Sequence, residues 1–284
     1  MKIGIVAKAH IRHFSGQLKQ VLSLLQDRQC QPIVAEQVVE EFGLKNIKGY
    51  PFKKLPELSD ALIVFGGDGT LLSVARLVGK NRCPILGINL GSLGFLTEVT
   101  RDESLDSINA LINGHYRTNR RALLEVKLNR ENEEIASYRS LNEAVVNKGA
   151  LARVITLETF CGEDLIANFT ADGIIIATPT GSTGYSLSAG GPILLPTQEL
   201  IVLTPICPHT LTSRSIIIPA KSEVKIRLQD GEDVMLTIDG QVGKKVLPGD
   251  EVICRTSDCF IELIESTSRS FFDVLRKKLK WAEH

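Results

Sequence analysis

Ala61-Leu-Ile-Val-Phe65-Gly-Gly-Asp68-Gly-Thr70-Leu-Leu-Ser73 is the stretch on which the reading of the whole chain turns. Residues 61–65 form a short unbroken apolar run, the pattern of a parallel strand covered on both faces. Gly66, Gly67 and Gly69 then surround one carboxylate, Asp68. From Thr70 onward, Leu71, Leu72, Ala75 and Val78 recur at helical spacing. The chain therefore leaves a buried strand, turns on glycines and enters a helix. Glycines lack the Cβ that would hold a phosphate away, and the N–H groups of such a turn can point at an anion. The carboxylate sets this loop apart from a simple anion cradle, because its charge repels phosphate. It fits another task, which is to orient a hydroxyl attacking a phosphoryl group or to take its proton. The competing reading is an ordinary glycine turn between strand and helix. No Gly-x-x-x-x-Gly-Lys-[Ser/Thr] P-loop and no Gly-x-Gly-x-x-Gly dinucleotide fingerprint occurs.

Working outward, residues 2–7 read as a first strand, 14–27 as a helix, 32–35 as a second strand and 43–59 as a loop. After the helix that ends near Gly79 come a buried strand at 84–89 and a second glycine loop, Gly91-Ser-Leu-Gly94-Phe-Leu-Thr97. A helix follows from 102, with Leu105, Ile108, Leu111 and Ile112 on one face and Gly114 as its stop. Alternating strands and helices predict an α/β fold with an open, parallel, Rossmann-like sheet, whose ligands gather at the carboxyl ends of its strands. Near 119 the texture changes. Residues 124–128 alternate with period two, 129–134 reads as a hairpin turn, and strand-like runs continue to 264, the last two at 251–254 and 259–264. Residues 178–192, rich in glycine and hydroxyls, interrupt them. Two domains are expected: an α/β domain at 1–118, completed by a C-terminal segment 267–284 with a helix at 270–281, and a β-rich domain at 119–266.

Lys plus Arg and Asp plus Glu are equal at 33 each, a balance that argues against nucleic acid or an anionic membrane as the main partner. No apolar run approaches the length of a membrane-spanning helix, and the start of the chain lacks the pattern of a signal peptide. Six scattered cysteines without a Cys-x-x-Cys read as reduced core thiols of a cytoplasmic protein. The five histidines do not cluster in sequence.

A second constellation is Thr178-Pro-Thr-Gly-Ser-Thr183-Gly184-Tyr185-Ser-Leu-Ser188. Its hydroxyls and exposed backbone suit a nucleotide, and Tyr185 could stack on a flat ring. Asn142-Glu143 beside an apolar run offers an amide and a carboxylate for ribose hydroxyls and a base edge, with a solvated strand start as the alternative. Asp172-Gly173 precedes a further apolar strand.

The loop Gly66-Gly67-Asp68-Gly69-Thr70 resembles the phosphate loop of NAD kinases, diacylglycerol-type lipid kinases and, with Ser for Thr, phosphofructokinases. Together with Asn142-Glu143, Asp172-Gly173, the 178–185 run and Asp239-Gly240-Gln241, in this order and spacing, nearly the whole chain resembles the bacterial NAD kinases. The resemblance implies transfer of the terminal phosphate of ATP, with a divalent cation such as Mg²⁺, to the 2′-hydroxyl of the adenosine ribose of NAD. Polyphosphate sometimes serves as donor in that family. By the same resemblance, Asp68 is the catalytic residue that activates this hydroxyl and Gly69 a backbone contact beside it. Asn142 and Glu143 face the adenosine side. Asp172, Thr183, Tyr185 and Ser188 match positions around the nicotinamide half and the adenine pocket. Arg153 and Gln241 match weaker contact positions, and His209 one near the ligand.

Three positions depart from the family's pattern. Gly184 stands for Ala, Ser215 for Pro, and Thr170 for Arg. The position of Thr170 lies near the nicotinamide half and bears on the choice between NAD and NADH. The family is homo-oligomeric, as a dimer or tetramer, with sites completed by a neighbouring subunit. Two other classes stay open. A lipid kinase would carry a basic or apolar membrane face and a sugar-phosphate kinase an Arg-rich pocket, and neither stands out. A non-catalytic dinucleotide sensor would gain nothing from a carboxylate facing phosphate.

Overall fold

The computed structural model describes residues 1–8, 14–79, 81–151, 153–266 and 268–281. His10, His13 and His284 lie outside the described residues. The chain divides into two compact units, Met1–Arg120 with Ile261–His284, and Arg121–Phe260.

The first unit is a parallel sheet with helices. Its elements run β1 (Lys2–Ala7), α1 (Ser15–Asp27), β2 (Gln31–Ala35), α2 (Glu36–Glu41), β3 (Gly49–Tyr50), α3 (Leu55–Leu58), β4 (Ala61–Gly66), α4 (Asp68–Val78), β5 (Ile85–Asn89) and α5 (Ser104–Ile112). The strand order is β3-β2-β1-β4-β5, every pair parallel. In a doubly wound sheet of this order the connections reverse direction between β1 and β4, and the crevice outside the strand ends at that switch point is where ligands bind. Asp68 follows β4 directly at that point. All six residues of β4 are buried, as a strand covered on both faces requires. Phe65 near its end packs against Phe14, the two rings tilted by 48° with centroids 4.7 Å apart.

Two local expectations are corrected in this unit. α4 begins at Asp68, two residues before Thr70, with Gly67 as its extended N-cap. A carboxylate in the first turn interacts favourably with the positive end of the helix dipole, so the acid extends the helix backwards. The segment 43–59 is not all loop: it holds β3, a 3₁₀ turn at Phe52–Lys54 and α3, which carries Pro56 in its first turn.

The second unit is antiparallel. It contains β6 (Thr118–Arg130, entering from the first unit), β7 (Glu133–Ser140), β8 (Glu143–Lys148), β9 (Ile155–Cys161), β10 (Asp164–Ala171) and β11 (Gly173–Ala177). The one-turn helix α6 (Tyr185–Ser188) and β12 (Leu200–Ile206), β13 (Ile216–Pro219), β14 (Val224–Asp230), β15 (Val234–Ile238) and β16 (Val242–Val246) follow. β17 (Glu251–Ile264) leads back into the first unit, where Leu263 pairs in parallel with Ile85, and α7 (Phe271–Leu279) closes the described chain. The two C-terminal strand runs expected at 251–254 and 259–264 are thus one strand. The β6–β7 turn is tight: Glu131 and Asn132 both have positive φ, the conformation that matches hairpin twist.

One sheet has the order β13-β12-β11-β8-β15-β16. Its central strands send alternate residues to two sides. Ala144, Val146, Ile174, Ile176, Ile201 and Leu203 join the main core, while Val145, Ile175, Ala177 and Val202 pack with Leu194 and Ile206. Unbroken apolar runs at β8, β11 and β12 follow from cover on both faces. Among the described residues no helix is long and apolar enough to cross a membrane. The six cysteines are free. Four are buried, Cys161 is half-buried, and Cys207 is exposed, so it is not the core thiol expected. Burial pushes the Cys254 thiol up to about 12, and burial followed by the charge of Asp60 does the same for Cys83.

Candidate active site

In the α/β unit the site is built by two glycine loops. A Cβ at Gly66 would crowd Thr70 Oγ1 at 2.5 Å, so glycine is what lets the Thr70 side chain fold back over the strand end. The Thr70 N–H donates to the Gly67 carbonyl at 3.0 Å and is therefore used within the turn. Asp68 reaches across to the second loop. Its Oδ2 accepts from Phe95 N at 2.8 Å, and its Oδ1 accepts from Leu96 N at 3.0 Å, Thr97 N at 3.1 Å and Thr97 Oγ1 at 3.0 Å. A Cβ at Gly94 would overlap Asp68 Oδ1. Behind this sits Asn89, 4% exposed, whose Nδ2 donates to Thr97 Oγ1 at 2.9 Å and whose Oδ1 accepts from Gly91 N at 2.7 Å. Neither Asn89 nor the use of Thr97 was read from the sequence. The signal was there in part, since the second glycine loop and the strand end before it were both legible.

In the β-rich unit the centre is Asn142-Glu143 at the start of β8. Asp239 lies in the β15–β16 turn, where it and Gly240 both have positive φ. Its Oδ1 accepts from Ser140 Oγ at 2.6 Å, Asn142 N at 2.8 Å and Glu143 N at 3.3 Å, and its Oδ2 from Leu141 N at 3.2 Å. The 178–185 run wraps the same segment. Thr178 Oγ1 donates to the Leu141 carbonyl at 2.6 Å and accepts from Gly181 N at 3.0 Å, and a Cβ at Gly181 would overlap the Asn142 carbonyl oxygen. Gly184 is packed closely: a Cβ there would lie 3.0 Å from Glu143 Oε2 and 3.3 Å from Asn142 Nδ2.

Glu143 is 6% exposed. Burial first, and then the charge of Asp239, push its carboxyl up to about 8, against a lowering by the Tyr185 N–H that donates to it. Glu143 Oε2 and Asn142 Oδ1 are buried with no hydrogen-bond partner. An acceptor left this way costs about 1–3 kcal/mol until a donor reaches it.

The residues singled out from the sequence therefore fall into groups. Asn142, Glu143, Gly184 and Tyr185 come together, with Tyr185 44% exposed. Thr183 Oγ1 donates to the Thr180 carbonyl at 3.2 Å in the adjoining 3₁₀ turn, and Ser188 is exposed on α6. Gln241 is exposed beside Asp239 on the hairpin. Arg153 is exposed, and Asp172 Oδ1 is 3.6 Å from Lys148 Nζ. Thr170 lines a cavity of about 350 Å³ with Pro208, Thr210 and Arg214, and its carbonyl accepts the His209 N–H at 2.9 Å. Arg153, Thr170, Asp172 and Ser188 share no hydrogen bond with Asn142 or Glu143 among the described residues. Ser215 Oγ donates to Thr204 Oγ1 at 3.3 Å, a bond proline could not make. A further cavity of about 760 Å³ in the α/β unit, lined by 114–117, 265–266 and 268–270, contains none of the candidate site residues.

Comparison with known proteins agrees along the whole chain. Residues 3–116 match the ATP-NAD kinase N-terminal domain and residues 141–266 the ATP-NAD kinase C-terminal domain. The chain is 46% identical over 283 residues to the NAD kinase of Geobacter metallireducens and 47% identical over 283 residues to that of Geobacter sulfurreducens, each alignment covering 99% of both chains. Among solved structures, yeast NADH kinase complexed with NADH superposes with a TM-score of 0.92 at 26% identity, covering 100% of this chain and 89% of that one. An NAD kinase from Archaeoglobus fulgidus in complex with ATP superposes with a TM-score of 0.77, covering 99% of both; at 23% identity this likeness concerns the fold alone. Both domains of the family are matched in order and relatives align from end to end, so the chain belongs to the NAD kinase family and is an enzyme of that kind.

Proposed function

We propose that this enzyme moves the terminal phosphate of ATP to the 2′-hydroxyl of the adenosine ribose of NAD, with Asp68 as the base and Asn142-Glu143 as the reader of that ribose. The observation that carries the reading is the pair of buried, unpartnered acceptors, Glu143 Oε2 and Asn142 Oδ1. Two hydroxyl or amine donors of a ribose and its base would satisfy both. Gly184 keeps the space beside them open to backbone distance, and the exposed Tyr185 ring offers a face for a heterocycle. Thr183, Ser188, Asp172, Arg153 and Gln241 complete the proposed NAD contacts, and the cavity beside Thr170 would take the part of the dinucleotide remote from the reacting hydroxyl.

The reaction asks little covalent chemistry of the protein. The O–H bond of the ribose hydroxyl breaks as its oxygen bonds to the γ-phosphorus, and the proton passes to Asp68. The bond from the γ-phosphorus to its bridging oxygen breaks with its electron pair leaving on ADP. Gly67 and Gly69, at the start of α4, would meet phosphate with backbone rather than side chain. No group of three His, Cys, Asp or Glu side chains converges among the described residues. A divalent cation such as Mg²⁺ would therefore be held chiefly by the ATP phosphates and water, where it neutralises phosphate charge. Free cysteines fit a reducing compartment such as the cytoplasm. A homodimer or homotetramer is supported by the open edge of the six-stranded sheet at β13 and by the exposed Ile217 on it.

A coupled assay for NADP formation tests the reading, run with ATP or polyphosphate and with NAD or NADH. ATP-dependent NADP formation that stops when divalent cations are chelated is the expected result. Absence of NADP with either donor would overturn it.

A further inference from the structure

We propose that Asn89 and Thr97 are positioning residues for the transfer: through the Thr97 hydroxyl they occupy Asp68 Oδ1 and leave Oδ2 as the oxygen that meets the acceptor hydroxyl. The inference rests on Asp68 being the base, and it concerns which oxygen acts and what holds it.

Each link is forced by the one before. Asn89 Oδ1 accepts the Gly91 N–H at 2.7 Å, so the other end of that amide, Nδ2, is the end turned to Thr97. Nδ2 donates to Thr97 Oγ1 at 2.9 Å, so the single hydroxyl proton of Thr97 must point elsewhere. It points to Asp68 Oδ1 at 3.0 Å. Oδ1 also accepts from Leu96 N and Thr97 N, three donors in all, whereas among the described residues Oδ2 accepts only from Phe95 N. A carboxylate oxygen has about two lone-pair directions, so Oδ1 is saturated and Oδ2 keeps one free. Asn89 is 4% exposed and Thr97 is fully buried, so water does not substitute for either bond. Gly94 leaves on the Oδ1 side the space that Asp68 Oδ1 occupies, since a Cβ there would overlap it. The network fixes the carboxylate plane before substrate arrives. A base held in this way needs no reorientation in the transition state, and a displacement of about an ångström costs on the order of 10²-fold in rate.

The test uses Thr97→Val, Thr97→Ser and Asn89→Ala in the full-length enzyme, each alone and with Asp68→Asn. Thr97→Val should lower kcat about tenfold or more with the KM of ATP and NAD changed less than about twofold. Thr97→Ser, which keeps the hydroxyl, should restore kcat to within about twofold, and Asn89→Ala should move kcat in the same direction as Thr97→Val. In the Asp68→Asn background Thr97→Val should cost nothing further, because its effect runs through the lost carboxylate. Wild-type kcat in Thr97→Val, or the same fold-loss in both backgrounds, would overturn the inference while leaving Asp68 as the base. Wild-type turnover in Asp68→Asn alone would overturn both.

Discussion

Asp239 and Glu143 hold each other across the β-rich unit by a reciprocal pair of bonds: the Asp239 N–H donates to the Glu143 carbonyl oxygen at 3.0 Å, and the Glu143 N–H donates to Asp239 Oδ1 at 3.3 Å. The same carboxylate collects Ser140 Oγ and the N–H groups of Leu141 and Asn142. Asp239 thus sets the turn that presents Asn142-Glu143, although it need not touch substrate. Replacing Asp239 with Ala strands several buried donors, each costing about 1–3 kcal/mol. We expect a loss of about 3 kcal/mol or more in urea unfolding and a raised KM for NAD. A loss below about 1 kcal/mol would show that the turn does not depend on this carboxylate.

Glu143 should make both NAD binding and stability depend on pH. Its carboxyl is raised to about 8 in the folded state, so the fold binds a proton there that the unfolded chain, with an ordinary carboxyl, has lost. The stabilising share of this group is fully present at low pH and is lost as pH rises from about 4.5 to about 8. The Tm of wild type should fall relative to Glu143→Gln across that window. The ionised carboxylate accepts with both oxygens, whereas the protonated carboxyl turns one of them into a donor, so the KM for NAD should improve as pH rises through about 8, and Glu143→Gln should flatten that profile. Glu143→Ala should weaken NAD binding and turnover together with little change in ATP affinity. Equal pH profiles for wild type and Glu143→Gln would remove Glu143 from the acceptor site.

Gly94 and Gly16 form a matched pair of glycine tests. Gly94→Ala drives a Cβ into Asp68 Oδ1 and Thr97 Oγ1, so the two loops must separate. A loss of kcat of about tenfold or more is expected, because the carboxylate moves. Gly16 lies in α1 with nothing within 4 Å of its would-be Cβ. Alanine there should leave kinetics unchanged and raise stability by up to about 1 kcal/mol through helix propensity. Unchanged kcat in Gly94→Ala would contradict the packing of the two loops.

Glu103 ties the C-terminal segment to the α/β unit. Its carboxylate accepts from Arg269 Nη1 at 2.7 Å, Ser268 Oγ at 2.8 Å, and Thr100 N and Oγ1 at 2.9 and 2.7 Å. The Arg269 bond above all, aided by the Thr100 and Ser268 bonds and opposed by burial, holds it down at about 2. Its stabilising share is present above about 4.5 and is lost as pH falls to about 2. Glu103→Gln should therefore lower Tm at pH 7, and the gap to wild type should close across that acid window. A gap that persists at pH 2 would assign the effect to something other than this charge.

Much of this fold was legible because its strongest signals are local. An apolar run ended by Gly66-Gly67-Asp68-Gly69 announces strand, turn and helix within thirteen residues. Short elements were missed for want of periods: α2 has six residues and α3 four. β7 turns much of its surface to solvent and β16 is an edge strand carrying Lys244 and Lys245, so neither reads as an apolar strand. What no spacing rule reveals is which distant donors a carboxylate will gather. Asp68 takes its partners from 27 to 29 positions on, and Asp239 takes its own from 96 to 99 positions back. Asn89 escaped notice for the same reason, since a lone amide at a strand end has no motif until the fold brings Thr97 to it.

Turnover of Asp68→Asn tests the central claim most directly. Asparagine keeps the shape and an acceptor for the second loop but removes the base. With ATP and NAD, and with NAD affinity and Tm measured on the same preparation, kcat should fall by about 10²-fold or more while NAD still binds. Near-wild-type kcat in that variant would contradict the account.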